Sequence, residues 1–341
     1  MLVRRAVLAA AASAVLASAG SVAAGDSSGC KFARVAEWPI RIERGHLITD
    51  GAINGKPVAI LLDTGAMHTL VLRPAADRLG LTRWSFNGPR LFGVGGETSV
   101  SRTLIDEFRV GSFAQTRLQM IVAGEQDFGA DVLLGEDFFR HFDVEFDLAA
   151  DSVRLYRPEH CASTLLAYWA GADVGLVEFD ASGNDHPEIV VTVEVDGRPI
   201  KALLDSGASG SIQDKAEAAR LGVTPNTPGV VAAQARGGIG SNSINSWVGS
   251  FKTFTIGNET IRDTRIVFAD VFKGAAFRST GSNIPVKVED LPSMLLGYDF
   301  LRSHRVLVAH SQRRIYFTYN GGPVFVRTPP AVRVAPDPAD K

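Results

Sequence analysis

Two aspartates, Asp63 and Asp205, are the residues of this chain whose type and surroundings could most directly support chemistry. Each follows a Leu-Leu pair and precedes a hydroxyl residue, a glycine and an alanine, in residues 61–66 and 203–208. Such an apolar run predicts a strand that ends at the aspartate, and the small residues after it allow a tight turn whose N–H groups point back at the carboxylate. Two carboxylates placed in this way are what a paired-aspartate acid–base site requires.

The segments around the two aspartates belong to an internal duplication. Residues 53–63 align with residues 195–205, and Asn54-Gly55 in the first copy corresponds to Asp196-Gly197 in the second. Asn-Gly and Asp-Gly are dipeptides of tight hairpin turns, so each aspartate is predicted on the second strand of a β-hairpin. Four further elements recur in the same order in the two copies. They are a helix that ends in Arg-Leu-Gly (78–80 and 220–222), a Gly cluster (93–96 and 237–240), a Leu-Leu-Gly-x-Asp-Phe segment (133–138 and 295–300) and a final strand pair (144–156 and 306–319).

The pattern of elements indicates an all-β protein, because long helices are few and many short strands are broken by glycine turns. We predict an N-terminal lobe over residues 25–160 and a C-terminal lobe over residues 172–328, with the boundary near 160–175. Most of the extra length of the second copy falls between Ala269 and Pro292, which predicts a long loop beside the cleft. Residues 329–341 are rich in Pro, Ala and Asp and predict a disordered tail.

Residues 1–24 have the features of a cleaved export signal. A basic start precedes an apolar run over residues 6–22, and small residues suit cleavage before Gly25. An uncleaved membrane anchor and a lipid attached at Cys30 are the alternatives. The run is rich in Ala and Ser and marginal in length for a bilayer span, and residues 27–29 are a poor lipid-attachment sequence. We therefore expect a periplasmic or secreted protein with no stable membrane insertion after cleavage.

Composition limits the partners and suggests one crosslink. The formal net charge of the 341 residues is −2, which gives no electrostatic case for nucleic acid or for an anionic membrane surface. The chain has two cysteines, Cys30 before the first repeat and Cys161 just after it. An oxidising compartment favours a disulfide between them, which would join the two ends of the first lobe. Two unrelated thiols remain the alternative, because bonding geometry cannot be read from a sequence.

The duplicated motifs resemble those of the aspartic peptidases, most closely the retropepsin-like branch. The resemblance rests on Ala-Leu-Leu-Asp-Ser-Gly-Ala at 202–208, on the two Gly clusters and on the Leu-Leu-Gly-x-Asp-Phe pair, and it covers about 130 residues of each half. It implies a bilobal acid-protease fold, in which two retropepsin-like β-barrel lobes enclose an active-site cleft. It also implies two substrate-binding flaps, formed by Gly93, Val94, Gly95 and Gly96 and by Gly237, Gly238, Ile239 and Gly240.

The resemblance further implies an exported aspartic endopeptidase that acts on peptides or envelope proteins. Two close carboxylates cannot both ionise easily, so Asp63 and Asp205 would share a proton. The ionised one would take a proton from a water molecule while the other donates to the scissile carbonyl oxygen. The site residues that support them would be Thr64 and Ser206, which link the two loops, and Gly65 and Gly207, which bring N–H groups to the carboxylates. No metal or cofactor is expected, and the site should be complete within a monomer.

The sequence also departs from the family pattern. Retropepsins commonly have an acidic residue after Asp-Thr-Gly-Ala, where this chain has Met67 and Ser209, and neither Gly cluster contains the tyrosine of pepsin flaps. Asp137 and Asp299, after the Leu-Leu-Gly turns, are predicted to be helix caps or structural partners.

Three other functions can be compared with the sequence. A non-catalytic peptide- or protein-binding module on the same scaffold is the main alternative, but such a protein would need neither both aspartates nor both loop hydroxyls. A metal hydrolase that uses His68 or His141 lacks paired ligand spacing. A serine hydrolase is disfavoured because residues 207–210 lack the Gly-x-Ser-x-Gly elbow.

Overall fold

A computed structural model of the chain describes residues 29–85, 90–171, 173–180, 188–240, 242–271, 277–278, 286–287 and 291–325. The predicted export signal and the predicted C-terminal tail lie outside the described residues, as does most of the predicted loop between Ala269 and Pro292.

The described part of the chain consists mainly of β-strands. Those of the first half are β1 Lys31–Pro39, β2 Arg41–Glu43, β3 His46–Ile53, β4 Lys56–Leu62, β5 Leu70–Leu72, β6 Arg83–Ser85, β7 Leu91–Gly93, β8 Gly96–Thr98, β9 Ser101–Val110, β10 Phe113–Ala123, β11 Val132–Leu134, β12 Asp143–Asp147 and β13 Ser152–Glu159. Those of the second half are β14 Gly175–Asp180, β15 Val190–Val195, β16 Arg198–Leu204, β17 Ile212–Asp214, β18 Val231–Arg236, β19 Ile244–Ile256, β20 Glu259–Ala269, β21 Phe277–Arg278, β22 Val286–Lys287, β23 Met294–Leu296, β24 His304–Ala309 and β25 Arg314–Tyr319. The helices are α1 Arg73–Leu79, α2 Glu136–Phe139, α3 Lys215–Arg220 and α4 Tyr298–Ser303, with a 3₁₀ turn over Leu148–Ala150.

Each half contains a closed barrel of six strands. The first barrel has the order β3-β4-β11-β5-β10-β9 and closes where β9 pairs with β3. The second barrel has the order β15-β16-β23-β17-β20-β19 and closes where β19 pairs with β15. Corresponding strands therefore occupy the same places in both barrels, which confirms the duplication and the all-β class.

The predicted turns explain why these strands form. Asn54 and Asp196 have φ angles of 50°, and the glycines that follow them have φ angles of 75° and 74°. Two successive residues with positive φ make the turn that matches the twist of a two-residue hairpin. The helix that ends in Arg-Leu-Gly is also confirmed in the first copy, because Gly80 caps α1 in the left-handed conformation.

A central sheet of six strands joins the two halves. Its order is β1-β13-β12-β24-β25-β14, so three strands come from each half of the chain. The junction is the antiparallel pairing of β12 with β24, in which Glu145 lies opposite Leu307. The strand pairs around 144–156 and 306–319 were predicted, but their union in one sheet was not, because local patterns do not show which distant strand becomes a neighbour.

A disulfide joins Cys30 to Cys161, as predicted, with 4.5 Å between the Cα atoms. The two cysteines lie just beyond the end of the β1–β13 ladder, in which Lys31 lies opposite Glu159. The bond therefore ties the outer strand of the central sheet to the segment that leads to the second half. Among the described residues, no helix is long and apolar enough to cross a membrane.

Removal of this disulfide is expected to destabilise the protein. The bond closes a loop across a sequence separation of 131, and the chain-entropy model gives about 5 kcal/mol for a loop of this size. We expect the Cys30→Ser/Cys161→Ser variant to lose up to that amount of unfolding free energy in urea titrations. An unfolding midpoint equal to that of the oxidised wild type would contradict the expectation.

Candidate active site

Each aspartate lies at the end of a barrel strand, and a backbone hydrogen bond joins it to the neighbouring parallel strand, β11 or β23. Asp63 follows β4, and its backbone N–H donates to the Leu134 carbonyl at 2.9 Å. Asp205 follows β16, and its N–H donates to the Leu296 carbonyl, also at 2.9 Å. The Leu-Leu-Gly segments therefore act as parallel neighbours of the strands that deliver the aspartates.

The structure brings the two predicted catalytic aspartates together. A Cβ atom added to Gly65 would lie 2.4 Å from Cγ of Asp205, and one added to Gly207 would lie 2.3 Å from Cγ of Asp63. No side chain fits at such distances, so both glycines are needed for the two loops to approach. The two carboxyl groups are close enough for the charge of Asp205 to raise the pKa of Asp63.

Backbone N–H groups hold each carboxylate within its own loop. The N–H groups of Gly65 and Ala66 donate to Oδ1 of Asp63, both at 3.1 Å. The N–H of Ala208 donates to Oδ1 of Asp205 at 2.9 Å. The turn after each strand thus points its N–H groups back at the carboxylate, as the small residues predicted.

The hydroxyls of Thr64 and Ser206 are exchanged between the two loops. The Thr64 hydroxyl donates to the Leu204 carbonyl at 2.7 Å and accepts from the Ser206 N–H at 2.9 Å. The Ser206 hydroxyl donates to the Leu62 carbonyl at 2.8 Å and accepts from the Thr64 N–H at 3.0 Å. Both residues are buried. Four reciprocal hydrogen bonds in a buried site fix the separation of the two loops.

Burial raises the pKa of both carboxyl groups. The pKa of Asp63 is raised well above its usual range, first by burial and then by the charge of Asp205. The pKa of Asp205 is also raised by burial, and the hydrogen bond from the Ala208 N–H opposes this rise. Two buried carboxyl groups this close cannot both ionise easily, so Asp63 and Asp205 share one proton.

The two Gly clusters contact each other. The Gly240 N–H donates to the Val94 carbonyl at 3.1 Å, and the Asn242 N–H donates to the Gly95 carbonyl at 3.1 Å. Cβ atoms added to Gly95 and Gly240 would lie 2.1 Å and 2.3 Å from backbone atoms of the opposite segment, so both positions require glycine. The predicted flap segments are thus joined tip to tip.

The tip residues cross to the opposite barrel. Ile239, from the second half, packs against an apolar patch on the outside of the first barrel that includes Leu61 and Leu133. Val94, from the first half, packs against the matching patch of the second barrel, which includes Leu203 and Leu295. Each patch includes a leucine of the strand that ends at one of the two aspartates, Leu61 in β4 and Leu203 in β16.

The other residues singled out in the sequence have structural or peripheral positions. Asp137 accepts from the backbone N–H and the hydroxyl of Thr69, and Asp299 accepts from the same groups of Ser211, so their predicted role as structural partners is confirmed. His68 is exposed. Within the described ranges, no group of three or more His, Cys, Asp or Glu side chains could hold a metal ion.

The family comparison agrees with this geometry. A model of the aspartyl protease family matches residues 49–138 and 191–300, which together make up more than half of the chain. The chain belongs to this family. The first matched stretch contains Asp63 and most of the first barrel, and the second contains Asp205 and most of the second barrel. This aspartyl protease therefore has the bilobal all-β fold of a duplicated domain. A search of curated proteins returns no match to the chain.

Sequence patterns did not indicate a buried acid behind the Asp63 loop. Glu136 is fully buried, and its backbone N–H donates to the Ala66 carbonyl at 2.8 Å. Neither carboxyl oxygen has a hydrogen-bond partner among the described residues, and Nε2 of His310, which also lacks one, is 3.7 Å away. Burial raises the pKa of Glu136 well above its usual range and lowers that of His310 to about 4.

The Glu136 carboxyl predicts a pH-dependent stability. Its raised pKa means that its stabilising contribution is complete below the ordinary pKa of about 4.3 and is lost as pH rises through the folded-state value. The free energy of unfolding of the wild type should therefore fall as pH rises above that value, by up to about 1.4 kcal/mol per pH unit for one proton. Glu136→Gln does not titrate, so its free energy of unfolding should fall less over the same pH range. Denaturant titrations from pH 4 to 8 would measure this. Parallel stability curves for variant and wild type would contradict it.

Proposed function

We propose that this aspartyl protease is an exported endopeptidase that hydrolyses peptide bonds of extracytoplasmic proteins. The observation that carries the proposal is the close approach of the carboxyl groups of Asp63 and Asp205, which lie on loops joined by four reciprocal hydrogen bonds. A rigid pair of carboxyl groups with one shared proton is suited to acid–base hydrolysis by water, with no covalent intermediate.

The two carboxyl groups have different roles in the proposed reaction. The ionised partner takes a proton from a water molecule held between the two carboxyl groups, and the protonated partner donates its proton to the oxygen of the scissile carbonyl. Asp63 and Asp205 fill these roles jointly, because they share one proton. The carboxyl group that took the proton from water then gives it to the leaving nitrogen, and the other carboxylate takes a proton from a hydroxyl of the tetrahedral intermediate. The C–N bond breaks, the amine and the acid are released, and the shared proton is restored.

The substrate is an extended peptide that lies between the aspartates and the joined Gly clusters. Main-chain groups of the clusters pair with the peptide, as in the addition of a strand to a sheet edge. The apolar patches under Ile239 and Val94 receive apolar side chains on either side of the scissile bond. The hydrogen bonds that join the clusters must break for a peptide chain to enter, so opening of these segments precedes catalysis.

The extracytoplasmic location rests on two features. The first 24 residues have the composition of an export signal, and a disulfide joins Cys30 to Cys161. Disulfides persist in oxidising compartments such as the bacterial periplasm or the cell exterior. The substrates are therefore proteins of the envelope or exported peptides.

Digestion of a peptide library tests the proposal. The mature protein should cut peptides of mixed sequence, and mass spectrometry of the new termini should show apolar residues beside the cut. The assay runs from pH 3 to pH 8 because the raised pKa values of both carboxyl groups move the active range above that of free aspartate. Binding of extended peptides without cleavage at any pH would contradict the proposal and favour a non-catalytic binding module.

A further inference from the structure

His46 reaches from the first barrel to the loop that carries Asp205. It follows the turn between β2 and β3, where Arg44 and Gly45 have φ angles of 53° and 84°. A Cβ atom added to Gly45 would lie 3.0 Å from the carbonyl oxygen of Ser209. The tip of this hairpin therefore packs directly against the segment that follows Asp205.

A hydrogen bond joins the two segments. Nδ1 of His46 is 2.8 Å from the carbonyl oxygen of Gly207. A carbonyl oxygen can only accept, so Nδ1 carries the hydrogen and Nε2 is the unprotonated nitrogen of the neutral ring. The N–H of the same peptide unit, which belongs to Ala208, donates to Oδ1 of Asp205 at 2.9 Å. The peptide unit between Gly207 and Ala208 is thus held on both sides, by Asp205 at its N–H and by His46 at its carbonyl.

The surroundings of His46 fix the orientation of its ring. The ring of Phe128 packs edge-on against it, with 5.7 Å between the ring centroids. Arg44 forms an ion pair with Asp127 at 3.2 Å, which ties the hairpin turn to the segment that carries Phe128. A half-buried ring that is held by packing and by one directional hydrogen bond is suited to position a neighbouring loop.

The duplication does not repeat this histidine. In the second copy, position 188 corresponds to position 46 and is occupied by a glutamate. A glutamate has no imidazole N–H, so the second copy does not offer the same donor to the loop of Asp63.

We propose that His46 is a positioning residue that acts on Asp205 through Gly207, which makes it part of the machinery of the proposed hydrolysis. The inference rests on the proposed function of the aspartate pair. His46 touches neither carboxylate. It holds the peptide unit whose N–H keeps the Asp205 carboxylate in place, and small displacements of a catalytic group cost about 100-fold in rate.

Protonation of His46 provides a second means of detecting this role. Burial lowers its pKa, the Gly207 carbonyl raises it and Arg44 lowers it further. The ring is therefore neutral near pH 7 and becomes charged in acid, where Nδ1 still donates to Gly207. The other charged groups beside this hairpin and loop are Glu43, Asp127 and Asp205. The added positive charge would favour the ionised form of Asp205 at low pH.

Two substitutions separate the hydrogen bond from the packing. His46→Phe keeps a ring against Phe128 but removes the donor, and we expect kcat to fall about 10- to 100-fold with KM changed less than about threefold. His46→Asn places an amide nitrogen near the position of Nδ1 and does not titrate. It should retain kcat within about threefold at pH 7 and lose the contribution of histidine to the acid limb of the pH profile. His160→Asn, at an exposed position, is the matched control.

Three results would overturn the inference. They are a wild-type kcat in His46→Phe, a loss in His46→Asn as large as in His46→Phe, or an NMR spectrum that places the ring hydrogen on Nε2 in the folded protein. Thermal unfolding of both variants checks that they fold. The NMR measurement requires no peptidase activity, so it tests the hydrogen bond of His46 even if the wild type cuts no peptide. Absence of cleavage by the wild type would contradict the proposed function, not the position of His46.

Discussion

Replacement of Asp63 by asparagine is expected to lower kcat for peptide hydrolysis by about a thousand-fold, within the range attributed to general acid–base groups. Asparagine keeps the shape of the side chain and accepts the N–H groups of Gly65 and Ala66 through its carbonyl oxygen. It cannot carry the shared proton to the scissile carbonyl. Asp205→Asn should cause a similar loss, because the one remaining carboxyl group cannot act as general base and general acid at the same time. Steady-state kinetics on a peptide from the library would measure both.

A surface aspartate gives the matched control for this prediction. Asp50 is exposed over 84% of its side chain and pairs with Arg41, and exposed pairs contribute little to stability. Asp50→Asn should therefore retain kcat within about twofold. A kcat for Asp63→Asn within tenfold of wild type would contradict the roles assigned to the two aspartates.

A large loss of stability is expected from substitution of Glu145, in the strand that joins the two halves. Its side chain has no exposed surface, and it accepts hydrogen bonds from Arg154, Arg305, Tyr156 and Tyr168 at 2.7 to 3.0 Å. Arg154 lies on β13 and Arg305 on β24, so one buried carboxylate links the halves across the central sheet. Removal of one member of a buried charged network leaves the others desolvated without compensation.

Glu145→Ala is therefore expected to lower the free energy of unfolding by about 3 to 5 kcal/mol. Two guanidinium groups and two hydroxyls would lose their common acceptor. Urea unfolding followed by circular dichroism would measure the change. Glu159→Ala is the control, because Glu159 forms an exposed ion pair with Lys31 and should contribute less than about 1 kcal/mol. Equal effects of the two substitutions would show that the buried network is not what stabilises the joined sheet.

Local patterns in the sequence were sufficient to predict the barrels and the aspartate pair. The Asn54-Gly55 and Asp196-Gly197 turns, the apolar runs before the aspartates and the repeated Leu-Leu-Gly segments each depend on neighbouring residues alone. The duplication supplied the long-range inference that pairs the two aspartates, because equivalent residues in two similar barrels are related by approximate symmetry. The disulfide was predicted from compartment and position, and the structure confirms it.

Features that depend on contacts between the halves could not be predicted. The pairing of β12 with β24 joins residues more than 150 positions apart, and many strands have similar patterns. The crossing of Val94 and Ile239 to opposite barrels depends on how the barrels face each other. His46 belongs to none of the repeated motifs, and its contact with the Gly207 carbonyl depends on how the first barrel packs against the loop of Asp205. Glu136 lies in a repeated motif, but the corresponding residue of the second copy is Tyr298, so the repeat gave no indication of a buried acid.

The central claim is that one carboxylate from each half of a single chain forms one acid–base site. Mixing the Asp63→Asn and Asp205→Asn variants in equal amounts tests it most directly. Each chain of the mixture carries one intact aspartate, and a site formed within one chain cannot be completed by another. The mixture should hydrolyse peptide no faster than either variant alone. Recovery of hydrolysis on mixing would show that the site forms between two chains and would contradict the account.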